Sequence, residues 1–306
     1  MERRPGPQLS LRLMAISHTE LDLVDTATLG AAPTRTTAGA RAVRAVRRVA
    51  VLLPFVLTGA LYELCRGRIF QHRGPVHVGD LAALEARFFS VTTAQGARPL
   101  SAVIASHTHA ALDLWCGATY LLFLVEIVGV CIYLSFRRRP EALELSLGFL
   151  VMNLVGWLIW VGYPAAPPWY VDQYGPGATI VDVVSSPAGL QRFDALVGLP
   201  LAATFYAKSA NVFGAMPSLH VAYATFTACV AAPFGRWLRL GSIGFALSMA
   251  FAAVYSRHHY LLDVVAGMLL ALVVLAASRG VRWLVPRTSL GARAGGKSEA
   301  SVGSHG

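Results

Sequence analysis

Apolar runs and polar breaks alternate along this chain in a rhythm that predicts six membrane-crossing helices, at about 49–64, 110–136, 143–163, 217–234, 239–257 and 259–278. A helix rises about 1.5 Å per residue and a bilayer core is about 30 Å thick, so one crossing takes roughly 20 apolar residues. The stretch 66–108 is too polar to cross. Within it Leu81, Leu84, Phe88 and Phe89 recur at helical spacing behind Asp80 as N-cap, which predicts an interfacial helix. Residues 164–216 form a long, proline-broken connection, the kind that carries function. In it Ser186-Pro187 is expected to cap a short helix whose Leu190, Phe193 and Val197 face the membrane surface. The fold class expected is all-α: a six-transmembrane bundle over 46–285 with interfacial helices in its extracytoplasmic loops. Segments 1–45 and 286–306 carry no sustained apolar run and read as disordered cytoplasmic tails.

Composition agrees. With 55% hydrophobic and 14% charged residues among 306, the chain is too apolar for a soluble domain. The net charge of +10 would suit nucleic acid, but the arginines gather in the tails and at the ends of spans, with no aromatic-interleaved basic patch. No nucleic-acid partner is expected. Six crossings bring Arg41 to Arg48, Arg137 to Arg139, Arg236 with Arg239, and Arg279 to Arg287 to one side, which places both termini in the cytoplasm. The four cysteines, 65, 116, 131 and 229, have no metal-type spacing and read as small buried apolar residues.

The candidate chemistry gathers in the last apolar third, where Gly214-Ala-Met-Pro-Ser-Leu-His220 opens one span and Tyr255-Ser-Arg-His-His-Tyr-Leu-Leu-Asp263 opens another. His220 and His259 are separated by one down-and-up excursion, so both return to the face opposite the arginines. Pro217 suits a first helical turn, and the N–H groups of Ser218, Leu219 and His220 then form a helix start that attracts phosphate. His259 and Asp263, four residues apart, are expected on one helical face, where the carboxylate fixes the ring tautomer. The set reads as a nucleophile, its orienter and a second histidine for proton transfer. His258, on a different face, is expected to tolerate replacement. Asp113 and Glu126, inside a span, are read as helix-to-helix hydrogen-bonding groups.

These residues resemble the type 2 phosphatidic acid phosphatase superfamily, whose second and third motifs end in a His and in a His with Asp four residues later. Four blocks in order narrow the resemblance to its inositol phosphorylceramide synthase branch: Tyr163-Pro-Ala-Ala-Pro-Pro-Trp-Tyr170, Ser186 to Asp194, Val212 to His220 and His258 to Asp263. The resemblance implies that His259 attacks the phosphorus of phosphatidylinositol and carries inositol phosphate. Asp263 then holds its ring, and His220 protonates the departing diacylglycerol and deprotonates ceramide or a similar lipid alcohol. It implies no cofactor and no metal.

The chain departs from the wider superfamily in its phosphate-binding cations. The basic first motif is replaced by Tyr163 to Tyr170, and Ala253 stands where an Arg is expected six residues before the catalytic His. Arg257 and Lys208 are the substitutes on offer, each equally readable as an interfacial charge. Ser218 can donate to phosphate or cap its helix. Trp169 and Tyr170 can stack on inositol or anchor the loop, and Asp194 can bind inositol hydroxyls or hold a turn. Two other functions remain open at this point: a lipid phosphate phosphatase using water as acceptor, and a transporter with intramembrane carboxylates.

Overall fold

The computed structural model describes residues 35–66, 74–209 and 211–284. They fall into two units, Met1–Val46, of which the described part is the front of one helix, and Arg47–Gly306, which holds all that follows. Of the expected tails, 1–34 and 285–306 lie outside the described residues, and 35–45 lie in the first helix.

In chain order, α1 (Arg35–Val49) leads through a single 3-10 turn to α2 (Leu53–Arg66). Then come α3 (Asp80–Phe88), a hairpin of β1 (Ser90–Thr93) and β2 (Gly96–Pro99), and α4 (Leu100–Ser106). The hairpin corrects the all-α expectation. Its two-residue turn, Ala94-Gln95, is followed by Gly96 at φ +99°, a conformation glycine adopts without strain. The stretch too polar to cross thus folds partly as a ribbon.

Four helices or helix runs are long and apolar enough to cross a membrane: Gly39–Arg66, α7 (Arg139–Gly162), α12 (Arg236–Tyr255), and Leu261–Arg282 within α13 (Leu261–Leu284). The pair α5 (Ala110–Leu121) and α6 (Phe123–Arg137), bent by 53° at its break, makes a fifth when taken together as one span. The sixth expected span is different. Helix α11 (Leu219–Ala231) runs on only to Phe234, about 24 Å at 1.5 Å per residue, before Pro233 and Gly235 at φ +115° end it. Its start lies two residues beyond Pro217, which therefore precedes the helix instead of opening it.

Helix α11 is short because it is the core. Leu219, Val221, Ala222, Tyr223, Phe226 and Val230 are buried on all sides of it, against α6, α7, α12 and α13. A helix apolar all round belongs inside a bundle. Glycines allow the close approach: a Cβ on Gly148 of α7 would lie 2.3 Å from the Phe226 ring, and one on Gly267 of α13 2.3 Å from the Ser218 carbonyl. Between helices, Tyr255 Oη donates to Asp113 at 2.8 Å and Arg192 Nε does so at 2.7 Å. Glu126 of α6 has both carboxylate oxygens buried and faces Thr227 of α11.

The connection 164–216 contains α8 (Pro168–Tyr174), α9 (Gln191–Val197) and α10 (Leu201–Ala207). Ser186 Oγ accepts the Ala188 N–H ahead of a single 3-10 turn, but the N-cap of that turn is Pro187 and that of α9 is Leu190, neither with a side-chain capping bond. Leu190 and Phe193, expected at the membrane surface, instead point inward, Phe193 against Gly117 of α5. On α3 the expected interfacial face is partly realised, with Leu84 and Phe88 exposed, but Leu81 and Glu85 are buried. The N-cap is Gly79, and Asp80 pairs with His77 at 2.6 Å.

Candidate active site

The site is assembled where the connection 164–216 closes over the start of α11 and the turn before α13. Three extended segments meet beneath it. His77 donates its N–H to Pro164, Ala166 donates to His77, Ala165 to Phe213, and Ala215 to Ala165, at 2.8 to 3.2 Å. This fixes residue 215, and its carbonyl accepts from His259 Nδ1 at 2.8 Å. A proton held on Nδ1 leaves the Nε2 lone pair of a neutral ring free for attack.

The orienter is therefore a backbone carbonyl in first place. Asp263 Oδ2 lies 3.6 Å from Nδ1, outside hydrogen-bond range, and accepts the Tyr260 N–H at 2.8 Å. The expectation of two residues on one helical face fails because α13 begins only at Leu261. His259 belongs to the preceding turn, where its own N–H and that of His258 both donate to Ala253. Asp263 still places a fully buried carboxyl group beside the ring, at 3.6 Å from Nδ1.

His220 sits 6.5 Å from His259 between ring centroids, flanked by Tyr120 at 4.4 Å and Phe123 at 4.5 Å. Its Nε2 is buried and has no partner among the described residues. His258 is not a bystander. Its ring stacks on Tyr206 at 4.4 Å, and its Nε2 donates to the Pro187 carbonyl at 3.1 Å. Burial, with the nearby His259 adding to it, pushes its pKa well below the ordinary histidine value, so the ring is neutral.

All three histidines line one cavity of about 690 Å³. Near them its wall carries Trp169, Lys208 and Asn211, and further down Phe55, Val128 and Phe149. Val56 of α2 and Leu124 of α6 also line it and are 67% and 42% exposed.

The remaining expected residues divide. Trp169 and Lys208 line the cavity; Tyr170 is buried behind it, against Phe213, with its hydroxyl donated to the Ile180 carbonyl. Asp194 is occupied on both oxygens by the N–H groups of Ala202 and Ala203, each at 2.9 Å, which caps α10. Arg257 forms a two-pronged pair with Asp172 of α8 at 2.7 and 2.6 Å and is not on the cavity wall. Ser218 donates its N–H to the Asp263 carbonyl, so that group is not free for phosphate. Its Oγ makes no capping bond and is buried without a partner among the described residues, and it too lies off the cavity wall. Among the described residues, no group of three or more His, Cys, Asp or Glu side chains is placed to hold a metal ion.

Two positioning contacts left little trace in the sequence. Glu85 reaches from α3 to the start of α13 and accepts the N–H groups of Leu261 and Leu262 at 3.3 and 3.4 Å. The turn before His259 is gripped by the covering connection: Trp169 donates its N–H to Arg257, and Gly189 to Ser256, each at 3.0 Å. Glu85 could have been suspected from its place on the same helical face as Leu81. A backbone carbonyl such as that of Ala215 gives no side-chain signal at all.

A helical membrane protein with one histidine at the head of a buried central helix and a second in the turn before α13, both on the wall of a largely apolar cavity, has the frame of a membrane phosphoryl-transfer enzyme. The chain belongs to the PAP2 superfamily, which it matches over residues 88–277. It is 36% identical over 233 residues to a phosphoinositol dihydroceramide synthase of Bacteroides thetaiotaomicron, covering 74% of this chain and 75% of that one. It is 30% identical to the inositol phosphorylceramide synthase catalytic subunits of Schizosaccharomyces pombe and Saccharomyces cerevisiae, over 72% and 78% of this chain but only 51% and 58% of theirs. No solved structure matches the chain. It is an enzyme family member related to inositol phosphorylceramide synthases.

Proposed function

We propose that this protein transfers inositol phosphate from phosphatidylinositol to ceramide or a similar lipid alcohol. His259 Nε2 attacks phosphorus and the bond to the diacylglycerol oxygen breaks. His220, protonated on Nε2, gives that oxygen its proton. The acceptor hydroxyl then loses its proton to His220 and attacks phosphorus, and the nitrogen–phosphorus bond breaks, which returns both rings to their starting state. Asp263 offsets the positive charge that phosphorylation places on His259. The observation that carries the reading is the bond from Nδ1 to the Ala215 carbonyl, which turns Nε2 into a nucleophile on a largely apolar cavity.

The names of the relatives favour a ceramide-type acceptor. The arrangement of basic clusters supports six passes, with α11 as the short sixth, both termini in the cytoplasm and the histidines on the extracytoplasmic or luminal face. The test is a trapped intermediate. Full-length enzyme exposed to head-group-labelled phosphatidylinositol without acceptor, quenched without acid, carries label on His259 by mass spectrometry, and His259→Ala carries none. His220→Ala lowers turnover by about 100-fold or more, the usual scale for loss of a general acid. Label on His220 reverses the two roles.

A further inference from the structure

The family's basic first motif is missing here, and Arg257 is paired with Asp172 and lies off the cavity wall, so the phosphoryl group needs another donor. We propose that Asn211 and Lys208 supply it, with Asn211 Nδ2 donating to a phosphoryl oxygen of the donor lipid. This rests on the reading of the cavity as a phosphoryl-transfer site.

Asn211 Nδ2 is a buried donor with no partner among the described residues, and the residue lies on the wall of the cavity that holds the histidines. Native proteins keep few such groups, and one on a cavity wall is satisfied by what the cavity binds. The other end of the same amide is fixed: Oδ1 accepts the Phe213 N–H at 3.2 Å, so the ring of hydrogen bonds in this turn decides which way the NH₂ points. The place is close to the reacting centre. A Cβ on Gly214 would lie 2.7 Å from Asn211 Nδ2, and the next residue, Ala215, is the one whose carbonyl holds His259. Glycine at 214 keeps the amide uncovered. Lys208, three residues earlier and also on the wall, adds the positive charge. An ammonium and an amide NH₂ are donors only in this setting, which suits an acceptor-rich phosphoryl group.

The experiment compares Asn211→Asp and Asn211→Leu with wild type in mixed micelles containing ceramide, following diacylglycerol release from dioleoyl phosphatidylinositol and from dioleoyl phosphatidic acid. Asn211→Asp keeps the oxygen that accepts from Phe213 and nearly the same shape, so a merely structural role survives in it. The expected result is a loss of about 10-fold or more with both donors, as an anion is set against the phosphoryl oxygens. Wild-type rates for Asn211→Asp on both donors would overturn the proposal. A loss confined to phosphatidylinositol and to Asn211→Leu would overturn it too, and assign the amide to an inositol hydroxyl. A wild type that releases diacylglycerol from phosphatidic acid alone would contradict the proposed donor while leaving the Asn211 comparison intact.

Discussion

His258 shows how much a single ring can contribute without entering the reaction. It fills space against Tyr206 and ties the Pro187 carbonyl of the covering connection to the turn that presents His259. Because burial holds its pKa well below the ordinary value near 6.5, the folded chain binds fewer protons than the unfolded chain once pH falls below that value. Its contribution to stability is therefore complete above about pH 6.5 and is lost as pH falls further. Thermal unfolding at pH 7.5 and 5.5 should show a larger drop for wild type than for His258→Gln, which has no ring to protonate. Equal drops would remove His258 from the acid sensitivity. The sequence marked His258 only as a neighbour on another face, because helical spacing was applied to a residue that lies in a turn. The same assumption placed Asp263 in direct contact with Nδ1. Side chains whose type is rare inside a membrane were legible, while the carbonyl of Ala215 was not.

At the scale of elements, the catalytic turn is set by what covers it. Arg257, at φ +63°, joins its guanidinium to Asp172 while its carbonyl takes the Trp169 N–H, so α8 and the turn move as one. Arg257 read from sequence alone was a candidate for phosphate, since nothing local announces a partner 85 residues away. Asp172→Arg should lower turnover by about 10-fold or more with little change in KM for donor lipid, because a half-buried guanidinium loses its partner. The exchange Asp172→Arg with Arg257→Asp should recover much of that loss, and Asp tolerates the left-handed backbone at 257. If the double exchange is as slow as the single variants, the pair does not act as a latch. The hairpin and the inward-facing α9 escaped the sequence for a related reason: short segments take their faces from the surfaces they meet, and Phe193 meets Gly117.

For the whole molecule, hydropathy located the long helices and the histidine-bearing third, but counted as an ordinary span the one helix that the others enclose. A helix packed by protein on every side has no lipid to match and can be short. The proposed topology puts the exposed residue Val184 outside the cytoplasm. Val184→Cys, in a background with the four native cysteines replaced, should react with an impermeant thiol reagent on intact cells; reaction only after permeabilisation would invert the topology. The central claim concerns the acceptor. A phosphohistidine facing a largely apolar cavity is protected from water and suited to a lipid hydroxyl, since excluding water suppresses hydrolysis of a reactive intermediate. The most direct measurement follows inositol-labelled phosphatidylinositol with the purified enzyme in mixed micelles, with and without ceramide. The account predicts that ceramide accelerates donor consumption and that the label moves into a phosphoinositol lipid with equal release of diacylglycerol. Release of water-soluble inositol phosphate at the same rate with and without ceramide would contradict it.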